Sequence, residues 1–382
     1  ISRFKILLLA KKNWTKPKKK EILIYDEASL NFLKNYFYEK DYEVLHKRNF
    51  PKRQINMFVI FIMLLKLKFS PEKYQEIYIK LVKPKFIITM IDNDILFYKI
   101  KSYYPNAMII SIQNAARYAI SDIFSKIKKI NDENKKLKAD YVLVFNDHIQ
   151  KIYKKIIDCK FLTIGSFVSN NQKKNLVKKN YGLVYISDFR DENNIPKEYI
   201  SWEIYYREVS MFLKNLSKFL QKKKLKITIL GATTGKQNLA EKKYYKKIFK
   251  NNKYKYLARS QKRPKFKIID NAKFVLNINS TLGYEAFSRG SKTAFFSVRS
   301  KNKNFKSSQF NWPAKQTNQG LFWTNESSYS EISRILNYLE KISLKEWNKL
   351  IKRRFSDILK FDPGNKEFIN FSKQIKLPLK FK

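Results

Sequence analysis

The sequence predicts an α/β protein made of two doubly wound domains. Three observations carry this. Short apolar runs of strand length alternate with segments of helical spacing along nearly the whole chain. The alternation stops once, over the polar stretch 168–181, which is rich in Asn, Gln and Lys. It then restarts and culminates in a strand–turn–helix–strand unit at 274–297. Such alternation implies parallel sheets covered by helices on both faces. A chain of 382 residues with 44% hydrophobic content is long enough to bury two such cores. The expected domains are 1–167 and 182–345, with a helical tail at 346–382 packing back toward the first.

In the first half, 5–10 reads as a strand, and 21–25 as a second ending at Asp26. Leu30, Leu33 and Phe37 give 29–38 helical spacing, and 42–45 is strand-like. Segments 56–67 and 71–82 read as helices. The second opens with Ser70-Pro71-Glu72, a cap followed by proline at the first helical position. A buried strand at 85–91 ends in Asp92-Asn93-Asp94, and a helix follows at 95–103. The strand at 107–112 ends in Gln113-Asn114, and 131–138 is polar, a surface helix or loop. Strands at 141–145 and 161–164 flank a helix at 148–157. The longest apolar run, 57–65, falls far short of the roughly 20 residues that span a bilayer. It reads as a buried helix, or alternatively as a helix on a membrane face with Lys66 and Lys68 at the headgroups.

In the second half, strands are expected at 183–187, 226–230 and 254–257, with helices at 205–222 and 241–249 and a turn at 231–235. In the unit at 274–297, Phe274-Val275-Leu276-Asn277-Ile278 is a buried strand and Asn279-Ser280-Thr281 a turn. Leu282, Ala286 and Phe287 then have helical spacing, Gly290 stops the helix, and 293–296 is the next strand. Ser280 or Thr281 caps that helix, and the partial positive charge at its start accepts a phosphate. A capping role alone is the competing explanation. The tail reads as helices at 331–342 and 344–359, then Pro363-Gly364 and a short basic segment.

The formal charge is +48, from 80 Lys+Arg against 32 Asp+Glu. A nucleic-acid binder is the first class this raises. The charge is mostly lysine spread end to end, without zinc-finger spacing or an RNA-recognition aromatic motif, so no specific nucleic-acid partner is expected. Attraction to an anionic membrane face is. Cys159 stands alone, which excludes an internal disulfide and fits a reducing compartment. Two histidines cannot build a multi-His metal site, and the Gly-x-Ser-x-Gly elbow of hydrolases is absent. Residues 4–10 run directly into Lys11-Lys12, too short an apolar stretch for a signal peptide. The expected location is the cytoplasm, at the inner face of the plasma membrane.

Ligands of open α/β sheets bind beyond the carboxyl ends of the strands. The polar residues there are Asp26, Asp92-Asn93-Asp94 and Gln113-Asn114 in the first half. In the second they are Asp188, Arg190 and Asp191, the turn Gly231–Thr234 with Thr233, and Ser280-Thr281 with Glu285. Two sheets facing a cleft would bring both sets to a sugar nucleotide and a polyhydroxylated acceptor. Each set has a plainer role as well. Asp92-Asn93-Asp94 matches a metal-holding Asp-x-Asp pattern or a helix cap, and Gln113-Asn114 a turn. The 188–191 stretch fits a surface ion pair, Glu285 a solvated helix face, and His148 a structural histidine.

Taken together, several pieces resemble a bacterial family of surface carbohydrate biosynthesis proteins. They are Lys83-Pro84-Lys85 with Ile91-Asp92-Asn93-Asp94, Ile112-Gln113-Asn114, Ile164-Gly165-Ser166-Phe167, Tyr185-Ile186-Ser187-Asp188-Phe189-Arg190, and Ser280-Thr281-Leu282-Gly283-Tyr284-Glu285-Ala286 with Arg289-Gly290. Ser-Thr-x-Gly-x-Glu-Ala occurs broadly among transferases with two Rossmann-like domains, the GT-B fold. The family is also similar to retaining β-Kdo glycosyltransferases, which use CMP-Kdo and a carboxylate nucleophile. The resemblance implies donor phosphate at Ser280 and Thr281; the place of Glu285, Gly231 and Thr233 at strand ends puts them on the same donor side. It implies a nucleophile at Asp188 or Asp191, with Arg190 holding the donor's carboxylate, and Gln113 and Asn114 on the acceptor side. The family carries an amide where Asp188 stands, which favours Asp191, and a glycine where Ala115 stands. Asp92 and Glu285 are the alternatives for general acid/base. The expected activity is metal-independent transfer of a sugar onto a surface polysaccharide such as lipopolysaccharide or capsule, with the nucleotide sugar as substrate and no cofactor. A metal-dependent transferase using Asp92 and Asp94, and a non-enzymatic basic protein, are the other classes.

Overall fold

Two parallel sheets, each of six strands among the described residues, organise the chain. This computed structural model describes residues 9–47, 54–67, 69–118, 137–174, 181–190, 202–260 and 264–380. The chain divides into two compact units. The first comprises Ile1–Asn114, Asp122–Asn171 and Gly364–Lys382, and the second Ala115–Ser121 and Gln172–Pro363.

The strands of the first unit are β1 (Lys11–Asn13), β2 (Ile22–Tyr25), β3 (Tyr42–Leu45), β4 (Gln54–Asn56), β5 (Phe86–Thr89), β6 (Met108–Ile112), β7 (Leu137–Val144) and β8 (Ile157–Thr163). Six form a sheet in the order β3-β2-β5-β6-β7-β8, while β1 and β4 pair separately. Every residue of β2 and β5 is buried, as a sheet covered on both faces requires. Register is parallel throughout, with Ile22 opposite Phe86 and Ile88 opposite Ile110. The core around Ile24, Phe37, Ile88 and Leu143 is completed by Phe368 and Phe371 from the C-terminal helix Lys366–Gln374. Asn365 anchors that helix by donating from Nδ2 to the Tyr36 hydroxyl (2.7 Å) and the Phe167 carbonyl (2.9 Å).

The strands of the second unit are β9 (Leu183–Ile186), β10 (Ile227–Leu230), β11 (Tyr254–Leu257), β12 (Phe274–Asn277), β13 (Thr293–Phe296) and β14 (Trp323–Thr324). Their order is β11-β10-β9-β12-β13-β14. Counted from β9, this is 3-2-1-4-5-6, the dinucleotide-fold order, whose direction reverses between β9 and β12. The helix Trp202–Lys222 buries Val209, Phe212, Leu213, Leu216, Phe219 and Leu220, a stripe at helical spacing. Phe212 meets Phe296 of β13 with ring centroids 4.4 Å apart.

Several expectations need correction at the level of elements. The strand near the start is Lys11–Asn13; residues 5–8 lie outside those described. The polar stretch 168–181 begins inside a short helix, Phe167–Asn170, because Ser166 accepts the Ser169 amide as its cap. Residues 95–103 form two short helices, Ile95–Tyr98 and Ile100–Tyr103. The helix expected at 241–249 begins earlier, at Lys236, after Gly235 turns the chain at φ 63°. The one expected to reach 359 stops at Arg354. The short basic tail segment is the helix Lys366–Gln374. The helix Met57–Leu65 buries only Val59 and Met63, so the buried-helix reading of that run fails.

Candidate functional site

The reversal between β9 and β12 places two strand ends side by side: Ser187-Asp188 after β9, and the turn Asn279-Ser280-Thr281 after β12. Asn277, the last residue of β12, is fully buried and builds that turn. Its Oδ1 accepts the Ser280 amide (3.2 Å), and its Nδ2 donates to the Ala294 carbonyl (3.1 Å). Gly283 is glycine because a Cβ there would lie 2.3 Å from the Asn277 side chain. Ser280 caps the helix Thr281–Ser288, its Oγ accepting the Leu282 amide at 3.3 Å. The Gly283 and Tyr284 amides close on the Ser280 carbonyl (2.9 and 3.3 Å). The Thr281 N–H, at the first position of the helix, has no partner among the described residues. The turn is backed by residues 115–118: the Ala116 amide donates to Thr281 Oγ1 (2.9 Å), and the Tyr118 hydroxyl donates to the Asn279 carbonyl.

The helix behind this turn is held rigidly. Glu285 is buried, so it is not the solvated face residue of the plainer expectation. Tyr284 accepts the Asn311 amide (3.0 Å), and burial pushes its phenol up to about 12. At the far end Arg289 is buried, donating from Nε to Asp270 Oδ1 (2.7 Å) and from Nη1 to the Gln172 carbonyl (3.0 Å). Its guanidinium also lies over the rings of Phe266 and Phe361.

At the end of β9, Asp188 pairs with Arg299, not with Arg190. Arg299 Nη1 lies 2.5 Å from Asp188 Oδ2, and the guanidinium covers the Tyr205 ring at 4.0 Å. Burial alone would lower the pKa of Arg299. The charge of Asp188, with Tyr205 and Tyr206, outweighs burial and holds it above its usual range. The Tyr206 hydroxyl donates to the Asp188 carbonyl (3.2 Å) and accepts the Arg190 amide (2.5 Å). Burial, then the Asp188 charge, raises the fully buried Tyr185 phenol well above its ordinary value. Arg190 is exposed; Asp191 lies outside the described residues.

The turn after β10 is occupied from within. The fully buried Glu241 accepts the amides of Ala232 (2.8 Å) and Thr233 (2.9 Å), the Thr233 hydroxyl, and the Ser187 hydroxyl (2.5 Å). Gly231 is required there because a Cβ would meet the Tyr256 hydroxyl at 2.6 Å. The amides of the turn expected to hold a donor are therefore already used: Ala232 and Thr233 serve the Glu241 carboxylate, and Gly231 donates to the Leu257 carbonyl (2.8 Å). Glu241, Arg299 and Asn277 were not singled out in sequence. Glu241 lies within a helical segment, Arg299 in a short helical turn just after β13 that the sequence does not mark, and Asn277 reads as part of an apolar strand.

In the first unit, Asp92 is fully buried and accepts the Tyr153 hydroxyl (2.7 Å) and the Asn114 amide (3.3 Å). Asp94 caps the next helix at the Leu96 amide (3.1 Å) and pairs with Lys47 at 2.5 Å. Gln113 is buried and uses its Oε1 to accept the Phe145 amide (2.8 Å), tying β6 to the end of β7; Asn114 is exposed. Asp26 caps its helix at the Ala28 amide (2.9 Å). Among the described residues, no group of three His, Cys, Asp or Glu is arranged to hold a metal ion.

Two parallel Rossmann-like units, the second with a strand–turn–helix at its switch point, define a protein of the GT-B fold. Solved structures share that fold across nearly the whole chain. The S. aureus MnaA–UDP structure is 11% identical with a TM-score of 0.55, covering 94% of this chain and 98% of that one. The UDP-GlcNAc 2-epimerase from Neisseria meningitidis bound to UDP-GlcNAc is 8% identical at 0.54, covering 92% and 99%. The wall teichoic acid polymerase TagF, as its H444N variant, is 13% identical at 0.50, covering 95% and 89%. No curated protein matches in sequence. A family model matches residues 110–376, and the chain belongs to that family, described as "putative O-antigen biosynthesis protein".

Proposed function

We propose that this chain is a glycosyltransferase that moves a sugar from a nucleotide donor onto a surface polysaccharide. The observation that carries this is the state of the turn at Ser280 and Thr281. Both hydroxyls are used as acceptors, Ser280 by the Leu282 amide and Thr281 by the Ala116 amide. Each therefore keeps its O–H to donate. With the Thr281 N–H and the start of the helix, that makes three donors for a phosphate. Negative charge developing on the leaving phosphate is met there by fixed dipoles rather than by a metal. Membership in an O-antigen biosynthesis family supports a surface glycan as acceptor.

The finer reading rests on the resemblance to retaining β-Kdo transferases. The donor is CMP-Kdo or a related acid sugar, Arg190 takes the donor's carboxylate, and Asp191 is the nucleophile. The Asp188–Arg299 pair supports a positioning role for Asp188, holding the strand end from which Arg190 and Asp191 continue. Glu285 lies behind the turn on the donor side, and Gln113 and Asn114 serve the acceptor. The internal partners of Asp92 and Asp94 argue against a metal held by that pair. A net charge of +48 supports contact with an anionic membrane face.

A second reading is favoured by MnaA and the meningococcal epimerase, whose structures hold UDP and UDP-GlcNAc. It is isomerisation of a UDP-sugar. The two readings separate in one assay, in which CMP-Kdo and UDP-GlcNAc are each incubated with and without a glycan acceptor. A transferase releases nucleotide only when the acceptor is present. An epimerase changes the sugar nucleotide without one. For the nucleophile, Asp191→Ala should stay folded and lose transfer; full activity in that variant removes Asp191 from the chemistry.

A further inference from the structure

The helix Met57–Leu65 has nine apolar residues and no polar face, yet its burial is one-sided. Val59 and Met63, one turn apart, are buried. Phe61, Leu64 and Leu65 lie roughly opposite on the helical wheel and are exposed. The chain beyond the helix continues the pattern, with Leu67 85% and Phe69 60% exposed. The strand β1 packs against the same helix, and the residue after it, Trp14, is 71% exposed. A helix that is apolar all round belongs either in a core or against lipid. Among the described residues, no protein element covers this face. A contiguous exposed set of large apolar side chains marks an interaction site.

The charge around the patch selects the partner. Residues 9–20 contain six lysines and no acidic residue, and 54–70 contain no acidic residue either. Lys11, Lys12, Lys16, Lys18, Lys19 and Lys66 are all exposed. Lys16 stands 5.9 Å from the Phe58 ring, beside the apolar face. The acidic residues of the neighbouring helix Pro71–Val82 are already paired: Glu76 with Lys73 and Lys80, and Glu72 with Lys99. An apolar wedge rimmed by exposed lysines complements an anionic bilayer surface, where the side chains enter the headgroup boundary and the ammonium groups meet lipid phosphates. No described helix is long and apolar enough to cross a membrane, so the contact is one of lying on the surface.

We propose that Trp14, Phe61, Leu64, Leu65, Leu67 and Phe69 form a membrane-docking wedge that seats the first unit on an anionic bilayer. The inference stands on this patch alone and is independent of the sugar chemistry at Ser280 and Thr281.

The test is co-sedimentation of the full chain with phosphatidylcholine vesicles, with and without phosphatidylglycerol, at low and high salt. The wild type should bind the anionic vesicles and keep part of that binding at high salt, because insertion is not screened. The Phe61→Ser/Leu64→Ser/Leu65→Ser variant should lose about tenfold or more of its partitioning, including the entire salt-resistant part. These positions are exposed, so an unchanged melting temperature checks that the variant is folded. Lys16→Gln/Lys18→Gln/Lys19→Gln should lower binding to anionic vesicles and leave the salt-resistant part in place. The proposal is overturned if the serine variant binds like the wild type, or if wild-type binding is abolished by salt. It is equally overturned if the wild type ignores vesicles and forms a dimer that the serine variant cannot, which would assign the patch to a second copy.

Discussion

Asp188 and Arg299 form a buried ion pair, 2.5 Å between Oδ2 and Nη1, that ties the end of β9 to the segment after β13. Among the described residues, neither Asp188 oxygen has an aligned hydrogen bond, so the opposite charge is what compensates its burial. Removing one partner strands the other. Asp188→Ala or Arg299→Leu should each destabilise the chain by about 3–5 kcal/mol. The double variant should recover part of that loss. Urea denaturation of the three variants measures it. Additive losses in the double variant would mean that the pair carries no coupling.

The second relationship is a close approach rather than a charge. Asn277 reaches from β12 under the next helix, and only a residue without a Cβ at 283 leaves it room. Gly283→Ala should destabilise by about 1–3 kcal/mol, because neither a buried side chain nor the helix backbone can yield cheaply. Pairing it with Asn277→Ala should relieve the clash while losing the turn's anchor. A melting temperature for Gly283→Ala equal to that of the wild type would contradict the packing described.

Glu241 holds the turn after β10 through the Ala232 and Thr233 amides and the Thr233 hydroxyl, and also accepts the Ser187 hydroxyl at the end of β9. Glu241→Gln keeps the size but turns one acceptor into a donor facing N–H groups. The expected loss is about 1–3 kcal/mol, read from urea midpoints, with nucleotide affinity unchanged. A loss of nucleotide affinity without a loss of stability would return Gly231 and Thr233 to the donor site.

Cys159 gives a pH-dependent prediction. Burial, then the charge of Asp158, pushes its thiol up to about 12 in the fold. The unfolded chain ionises near about 8.5. Between those values the unfolded state binds fewer protons, so this group's contribution to stability is full below that window and declines as pH rises through it. At about pH 8.5, where the unfolded thiol is half ionised, iodoacetamide should react with Cys159 far more slowly in the native chain than in denaturant. Equal rates would show that the thiol is not held neutral.

Fold and site were legible in the sequence to different degrees. The strands of both six-stranded sheets were legible except the two-residue edge strand Trp323–Thr324, which is too short to show a pattern; runs such as Phe86-Ile87-Ile88-Thr89 are continuously apolar because both faces are covered. The turn at Ser280-Thr281 was legible because a cap, a glycine and a helix follow in fixed order. The partners were not. Asp188 lies beside Arg190 in sequence, and only the fold brings Arg299 to it. Gly231 and Thr233 read as donor-side turn residues, since nothing local reveals that Glu241 closes that turn. The run 57–65 showed its apolar character but not that one side would lack a cover. Hydrophobicity specifies that a surface wants an apolar neighbour, not whether that neighbour is protein.

Transfer from a nucleotide donor in this chain requires a phosphate resting against Ser280 and Thr281. The direct measurement is the melting temperature of the wild type and of Thr281→Val, each with CMP, UDP and their sugar conjugates near saturation. At about 100 times its dissociation constant, the true ligand should add about 2.7 kcal/mol of stability to the wild type. Thr281→Val, which keeps the helix but loses the hydroxyl, should show clearly less. No stabilisation of the wild type by any nucleotide, or equal stabilisation of both proteins, would contradict a phosphate site at this turn.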